Sequence, residues 1–111
     1  HLQVWFMHEM THVWQYQRGF SVLKSGVVLT CVGGYRHARA YQYLQAACNQ
    51  IKPFHLLNME QQAEVVAHYF AAKHLRFKQY QSRLPLLEQC LQPFLAHPTW
   101  LGLLPNHSRC G

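Results

Sequence analysis

Two histidines four residues apart, with a glutamate beside the first, make the stretch HEMTH at residues 8–12 the part of this chain best suited to chemistry. On a helix, residues i and i+4 share a face, so His8 and His12 can each offer an imidazole nitrogen to one metal ion at about 2.0–2.1 Å. Glu9 flanks that position without having to bind it. From there its carboxylate can take a proton from water whose pKa zinc lowers to roughly 7, and pass the proton to a leaving amine. H-E-x-x-H is a mechanistic motif of zinc-dependent peptide hydrolysis, but it fixes only three positions. The plain alternative is a buried helix whose two histidines are satisfied by backbone groups.

A catalytic zinc needs a third protein ligand and an open position for water. The chain has no Asp and four glutamates, Glu9, Glu60, Glu64 and Glu88, and three of them fall in two helix-like segments rich in His and Gln. Glu60, Glu64 and His68 are spaced i, i+4 and i+8, which lays them along one stripe of a second helix. If Glu60 is the ligand, Glu64 sits one turn on, where it can accept a hydrogen bond from the outer N–H of a metal-bound histidine and orient the ring. Taken singly, Glu60 is also an ordinary acid at a helix N-terminus and Glu64 an ordinary partner of His68. Stabilising an oxyanion calls for a further donor. Tyr41, Tyr43, Arg36, Arg39, His37 and His68 are candidates that spacing does not separate; Tyr43 or His68 is the expected choice.

The elements that must position these residues are mostly helical. Residues 2–18 lack Gly and Pro and are dense in apolar side chains, which predicts one buried helix stopped by Gly19. Residues 20–40 read either as a strand or as a short buried helix. Residues 40–50 predict a short helix ended before Pro53. Residues 58–83, again without Gly or Pro, predict one long helix capped by Asn58, with acids early and Lys73, Arg76 and Lys78 late. A further short helix, LPLLEQCLQPFLA, is expected to break at Pro93, and the segment from residue 97 onward reads as a loosely ordered tail with a few apolar anchors.

The whole chain sets the frame. It has 111 residues, half of them hydrophobic and 14% aromatic, the composition of one packed domain over 1–111. Ten Lys and Arg against four acids give a net charge of +6, which favours an acidic partner through attraction that salt screens. The bases are dispersed among apolar residues and no nucleic-acid motif occurs, so a solvated basic face accounts for them better than a nucleic-acid site. Cys31, Cys48, Cys90 and Cys110 lack CxxC spacing; three pairings are open to them, and free or buried thiols are expected. No signal peptide and no membrane span is evident. The chain begins at His1, seven residues before the motif, and is read as a piece of something longer.

The stretches HEMTHVWQYQRG, YQYL and NMEQQAEVVAHYF together resemble the zincin-type metallopeptidase domains that accompany bacterial type VI secretion in Vgr-related and Rhs-associated proteins. The resemblance spans residues 6–70 and includes features zinc chemistry does not demand, such as the Trp-Gln after the second histidine and the Glu-Gln-Gln-Ala run. It is similar more broadly to gluzincins, and implies His8, His12 and Glu60 as ligands of Zn2+, Glu9 as general base and Glu64 as an acid supporting a ligand. It implies a mainly α, zincin-like domain with the motif helix packed on a second long helix and little or no β-sheet. Zincins place a sheet before the motif helix; here almost nothing precedes the motif, so either the sheet belongs to a missing N-terminal part or the cleft is built differently. The implied activity is hydrolysis of a peptide or amide bond in a protein or peptide substrate, by a toxin or processing module exported through a type VI system into a target cell. An immunity or inhibitor protein, or a protein of the secretion system, would be its partner. The alternative is a zinc-stabilised structural or cargo module without turnover.

Overall fold

The computed structural model describes residues 1–31, 33, 36–45 and 48–105, with the side chains of residues 36–38 also outside the description. In order, the chain forms α1 (Leu2–Gln17), α2 (Val22–Cys31), a 3₁₀ turn over Arg36–Tyr41, a hairpin of β1 (Leu44–Gln45) and β2 (Gln50–Ile51), a 3₁₀ turn over Phe54–Leu56, α3 (Met59–Lys73), α4 (Lys78–Gln81), α5 (Leu84–Ala96) and a last 3₁₀ turn over Leu101–Leu103. It is mainly helical, and α1 lies antiparallel along α3.

Both ends of α1 follow from its sequence. The His1 imidazole accepts from the Gln3 N–H at the start. At the end Gly19 takes φ 96, so that its N–H reaches Tyr16 O and the Phe20 N–H reaches Gln15 O. That left-handed closure suits glycine, which has no Cβ to clash. The expectation of a buried helix is corrected: α1 buries a polar stripe, His8, Thr11 and Gln15. Most of its apolar side chains face outward, with Leu2 81% and Tyr16 72% exposed, while Met7 and Trp14 pack partly buried against the main core. Density of apolar residues did not reveal this, because burial depends on which face the neighbouring helix covers.

Residues 22–31 are helical, and Leu29 packs with Phe20, Ala40 and Met59 in the smaller of two apolar clusters. The short helix expected over 40–50 is instead a 3₁₀ turn followed by the hairpin, with Leu44 paired to Ile51 and Gln45 to Gln50. Asn49 reverses the chain at φ 52, a conformation its short polar side chain tolerates.

Asn58 caps α3 as its position predicts. Its side chain accepts from the Gln61 N–H at 2.7 Å while the Gln61 side chain accepts from the Asn58 N–H at 3.0 Å, a reciprocal capping box. Glu60 in the first turn and Lys73 in the last complement the helix dipole. The single helix expected over 58–83 ends at Lys73. Arg76 takes φ 57, and the N–H groups of Leu75 and Phe77 close on the carbonyls of Phe70 and Ala71. No Gly or Pro marks this break. The turn carries α4 back over α3, where Tyr80 stacks on His68 at 4.1 Å.

Pro93 does not break its helix; α5 runs through it to Ala96. Proline removes one backbone donor there, and its exposed position lets water reach the carbonyl left behind. The segment after α5 is exposed over residues 97–102 and anchored at Leu103 and Pro105, which are buried. Trp14 Nε1 donates to Pro98 O at 2.7 Å, and Leu103 enters the main core with Phe54, Leu57, Val65, Leu87 and Leu91. Cys31, Cys48 and Cys90 are free thiols, Cys90 buried and the other two exposed, whereas Cys110 lies outside the described residues.

Candidate metal centre

The antiparallel contact of α1 and α3 brings the two polar stripes together. His8 Nε2 lies 3.1 Å from Glu60 Oε1, His12 Nε2 lies 2.8 Å from the same oxygen, and the two Nε2 atoms are 3.2 Å apart. Zinc bonds of about 2.0–2.1 Å at tetrahedral angles separate ligand atoms by about 3.3 Å. The three edges of this triangle are close to that value. His8, His12 and Glu60 form the one group among the described residues with the spacing to hold a metal ion.

The outer nitrogens decide what the triangle presents. His8 Nδ1 is 2.9 Å from Glu64 Oε1, and His12 Nδ1 is 2.8 Å from Gln15 Oε1. A carboxylate and an amide oxygen only accept, so each Nδ1 carries the proton and donates outward. Both Nε2 lone pairs then point with a carboxylate oxygen at one centre. Three acceptors aimed at one another require positive charge between them. Burial opposes the charged form of His8, yet hydrogen bonds to Glu60 and Glu64 and their charges outweigh it and push His8 up to about 9. His12 is raised as well, burial being outweighed by hydrogen bonds to Glu60 and Gln15. The same donor set, two imidazoles and a carboxylate, fits zinc with one position left for water.

Behind Glu64 runs a chain of hydrogen bonds. Glu64 Oε2 pairs with His68 Nε2 at 2.9 Å, His68 Nδ1 with the Tyr43 hydroxyl at 2.6 Å, and Arg83 Nη1 donates to Tyr43 at 3.2 Å. Burial works to raise Glu64, yet the hydrogen bonds to His68 and His8 hold it down at about 2. Tyr43 and His68, the expected oxyanion donors, lie in this chain behind Glu64. Both ring nitrogens of His68 are engaged within it, and Tyr43 is buried.

Glu9 is exposed on α1, next to His8. Tyr41 comes near the site instead of Tyr43: its ring centroid is 6.0 Å from that of His8. Burial raises its phenol first, and the charges of Glu60, Glu64 and Glu9 raise it further. Arg39 is exposed, and the side chains of Arg36 and His37 lie outside the described residues.

Residue spacing did not single out Gln15 or Gln62. Gln15 Nε2 donates to Met59 O at 3.1 Å and to Gln62 Oε1 at 3.0 Å, and both side chains are fully buried. The available signal was positional: Gln15 continues the His8, Thr11 stripe by one turn, and a glutamine on a helix stripe with ligand candidates has to find partners there.

The chain is thus a mainly helical protein with a two-histidine, one-glutamate cluster between its two longest helices. Over 72 residues it is 39% identical to the type VI secretion system spike protein VgrG2b of Pseudomonas aeruginosa, a stretch covering 62% of this chain and 6% of that protein. No family profile matches the chain, and no solved structure is significantly similar to it.

Proposed function

We propose that the chain is a zinc-dependent hydrolase domain that cleaves a peptide or amide bond, and that it works in association with a type VI secretion system. The observation that carries the first part is the convergence of His8 Nε2, His12 Nε2 and Glu60 Oε1 with both Nδ1 protons committed outward. Structural zinc sites close with four protein ligands, whereas three leave room for water. The similarity to the spike protein supports the second part, and export through that system into a target cell is the route it suggests.

His8, His12 and Glu60 would hold the ion, which when bound supplies the positive charge that makes water nucleophilic near neutral pH and polarises a carbonyl. The chain's own residues do the rest. Glu9 takes the proton of the attacking water on a carboxylate oxygen and delivers it to the nitrogen of the departing amine. Glu64 and Gln15 hold the imidazoles in register through their Nδ1 protons. Tyr41, beside His8, is the phenol best placed to donate to the oxygen that gains charge.

Zinc content of the purified chain and of two variants tests this. The parent should carry about one zinc per chain. Glu60→Ala should lose it, and Glu9→Gln should keep it while losing hydrolysis. A Glu9→Gln protein without zinc would show that Glu9 is a ligand and not the base. Zinc retained in a parent that turns over no peptide would make the chain a zinc-stabilised structural or cargo module.

A further inference from the structure

We propose that Gln15 and Gln62 are positioning residues for the metal site, forming a buried amide train that fixes His12 with its proton on Nδ1 and its lone pair toward the metal. The inference rests on the zinc-binding reading above and adds what sets the second imidazole.

The direction of the train is decided at its far end. Gln62 Nε2 lies 3.0 Å from Phe54 O and 2.7 Å from Leu103 O. Backbone carbonyls only accept, so the nitrogen of this amide must face them and its oxygen must face Gln15. Gln15 Nε2 donates to that oxygen and to Met59 O, which uses both of its protons. Its oxygen is left for His12 Nδ1 at 2.8 Å. Reversing either amide would set N–H against N–H or oxygen against oxygen at fully buried atoms, where no water can repair the mismatch. Three carbonyls, on Phe54, Met59 and Leu103, therefore determine which nitrogen of His12 carries hydrogen.

The two imidazoles are held differently. His8 leans on Glu64, a partly exposed carboxylate shared with His68. His12 leans on a neutral amide, which fixes the ring without adding a third carboxylate to Glu60 and Glu64. The last link, Leu103 O, belongs to the 3₁₀ turn near the end of the described chain, so that turn is part of the support for the site.

Cobalt(II) in place of zinc provides the test, because the ring N–H protons of coordinated histidines appear as shifted, solvent-exchangeable proton resonances. The parent should show two, one for each ligand histidine. Gln15→Met keeps the length and removes the acceptor. It should lose or rapidly exchange one resonance, retain the other, and bind zinc about 10- to 100-fold more weakly in a chelator competition. Gln62→Met touches neither histidine and should speed the exchange of that same resonance. Two resonances and parental zinc affinity in Gln15→Met would overturn the proposal and leave the zinc reading intact. A cobalt-loaded parent with a single exchangeable ring proton would also overturn it, independently of whether either variant folds. A parent that takes up neither zinc nor cobalt would overturn the zinc reading itself.

Discussion

Metal uptake should be coupled to proton release, and the size of the coupling follows from how His8 is held. In the metal-free protein its carboxylate partners outweigh its burial and push it up to about 9. Coordination through Nε2 needs that atom deprotonated. At pH 7 the ring is about two pH units below its pKa, so protonation weakens zinc binding about 100-fold, close to 3 kcal/mol at ~1.4 kcal/mol per unit. Affinity should then rise about tenfold between pH 7 and 8 and level off above about 9. His12, raised in the same direction, steepens the slope where it too must lose a proton. Titration calorimetry in buffers of different protonation enthalpy reads this directly, with about one or more protons expected per zinc at pH 7. An affinity constant from pH 6 to 9, with no proton release, would refute the geometry assigned to His8. The metal-free fold has its own window. The raised His8 contributes stability that is full below 6.5 and lost as pH rises through about 9, and the lowered Glu64 contributes stability present above 4.5 and lost as pH falls through about 2.

Two predictions test the frame around the site. Burial pushes the Cys90 thiol up to about 12, so iodoacetamide at pH 8 should modify exposed Cys31 and Cys48 and leave Cys90 untouched until denaturant is added; peptide mass mapping checks this, and early alkylation of Cys90 would contradict its place in the core. Pro93→Ala should restore a backbone donor inside α5 and stabilise the protein by about 1–3 kcal/mol, read as a higher urea midpoint. An unchanged or lower midpoint would mean that the proline sits there without cost.

The residues that would hold zinc were legible in the chain because their chemistry is local. Four residues of helix set His8 and His12 on one face, and eight set Glu60, Glu64 and His68 on one stripe, whatever else the chain does. Asn58 and Gly19 were equally legible, since each meets a backbone need within a few residues of itself. The mainly α class followed from long stretches without Gly or Pro.

What the stripes do to one another is a different kind of fact. Only the antiparallel packing of α1 on α3 puts Glu60 Oε1 within 3.1 Å of both Nε2 atoms and sends both Nδ1 protons away from the centre. The same packing buries His8, Thr11 and Gln15 of α1 and leaves most of its apolar side chains exposed. The link of His68 to Glu64 is the i,i+4 pair its spacing allowed, whereas Tyr43 joining His68 and Tyr41 lying near His8 are tertiary contacts. α3 ends at Lys73, where a left-handed Arg76 returns Tyr80 to His68 with no glycine or proline to announce the turn. Which side chains are able to bind a metal and move a proton could be read along the chain, because those abilities belong to residue types and helical spacing. The tertiary structure alone decided which of them meet and which nitrogen of each ring carries hydrogen, because hydrogen-bond partners up to 56 residues apart are chosen by packing and not by spacing.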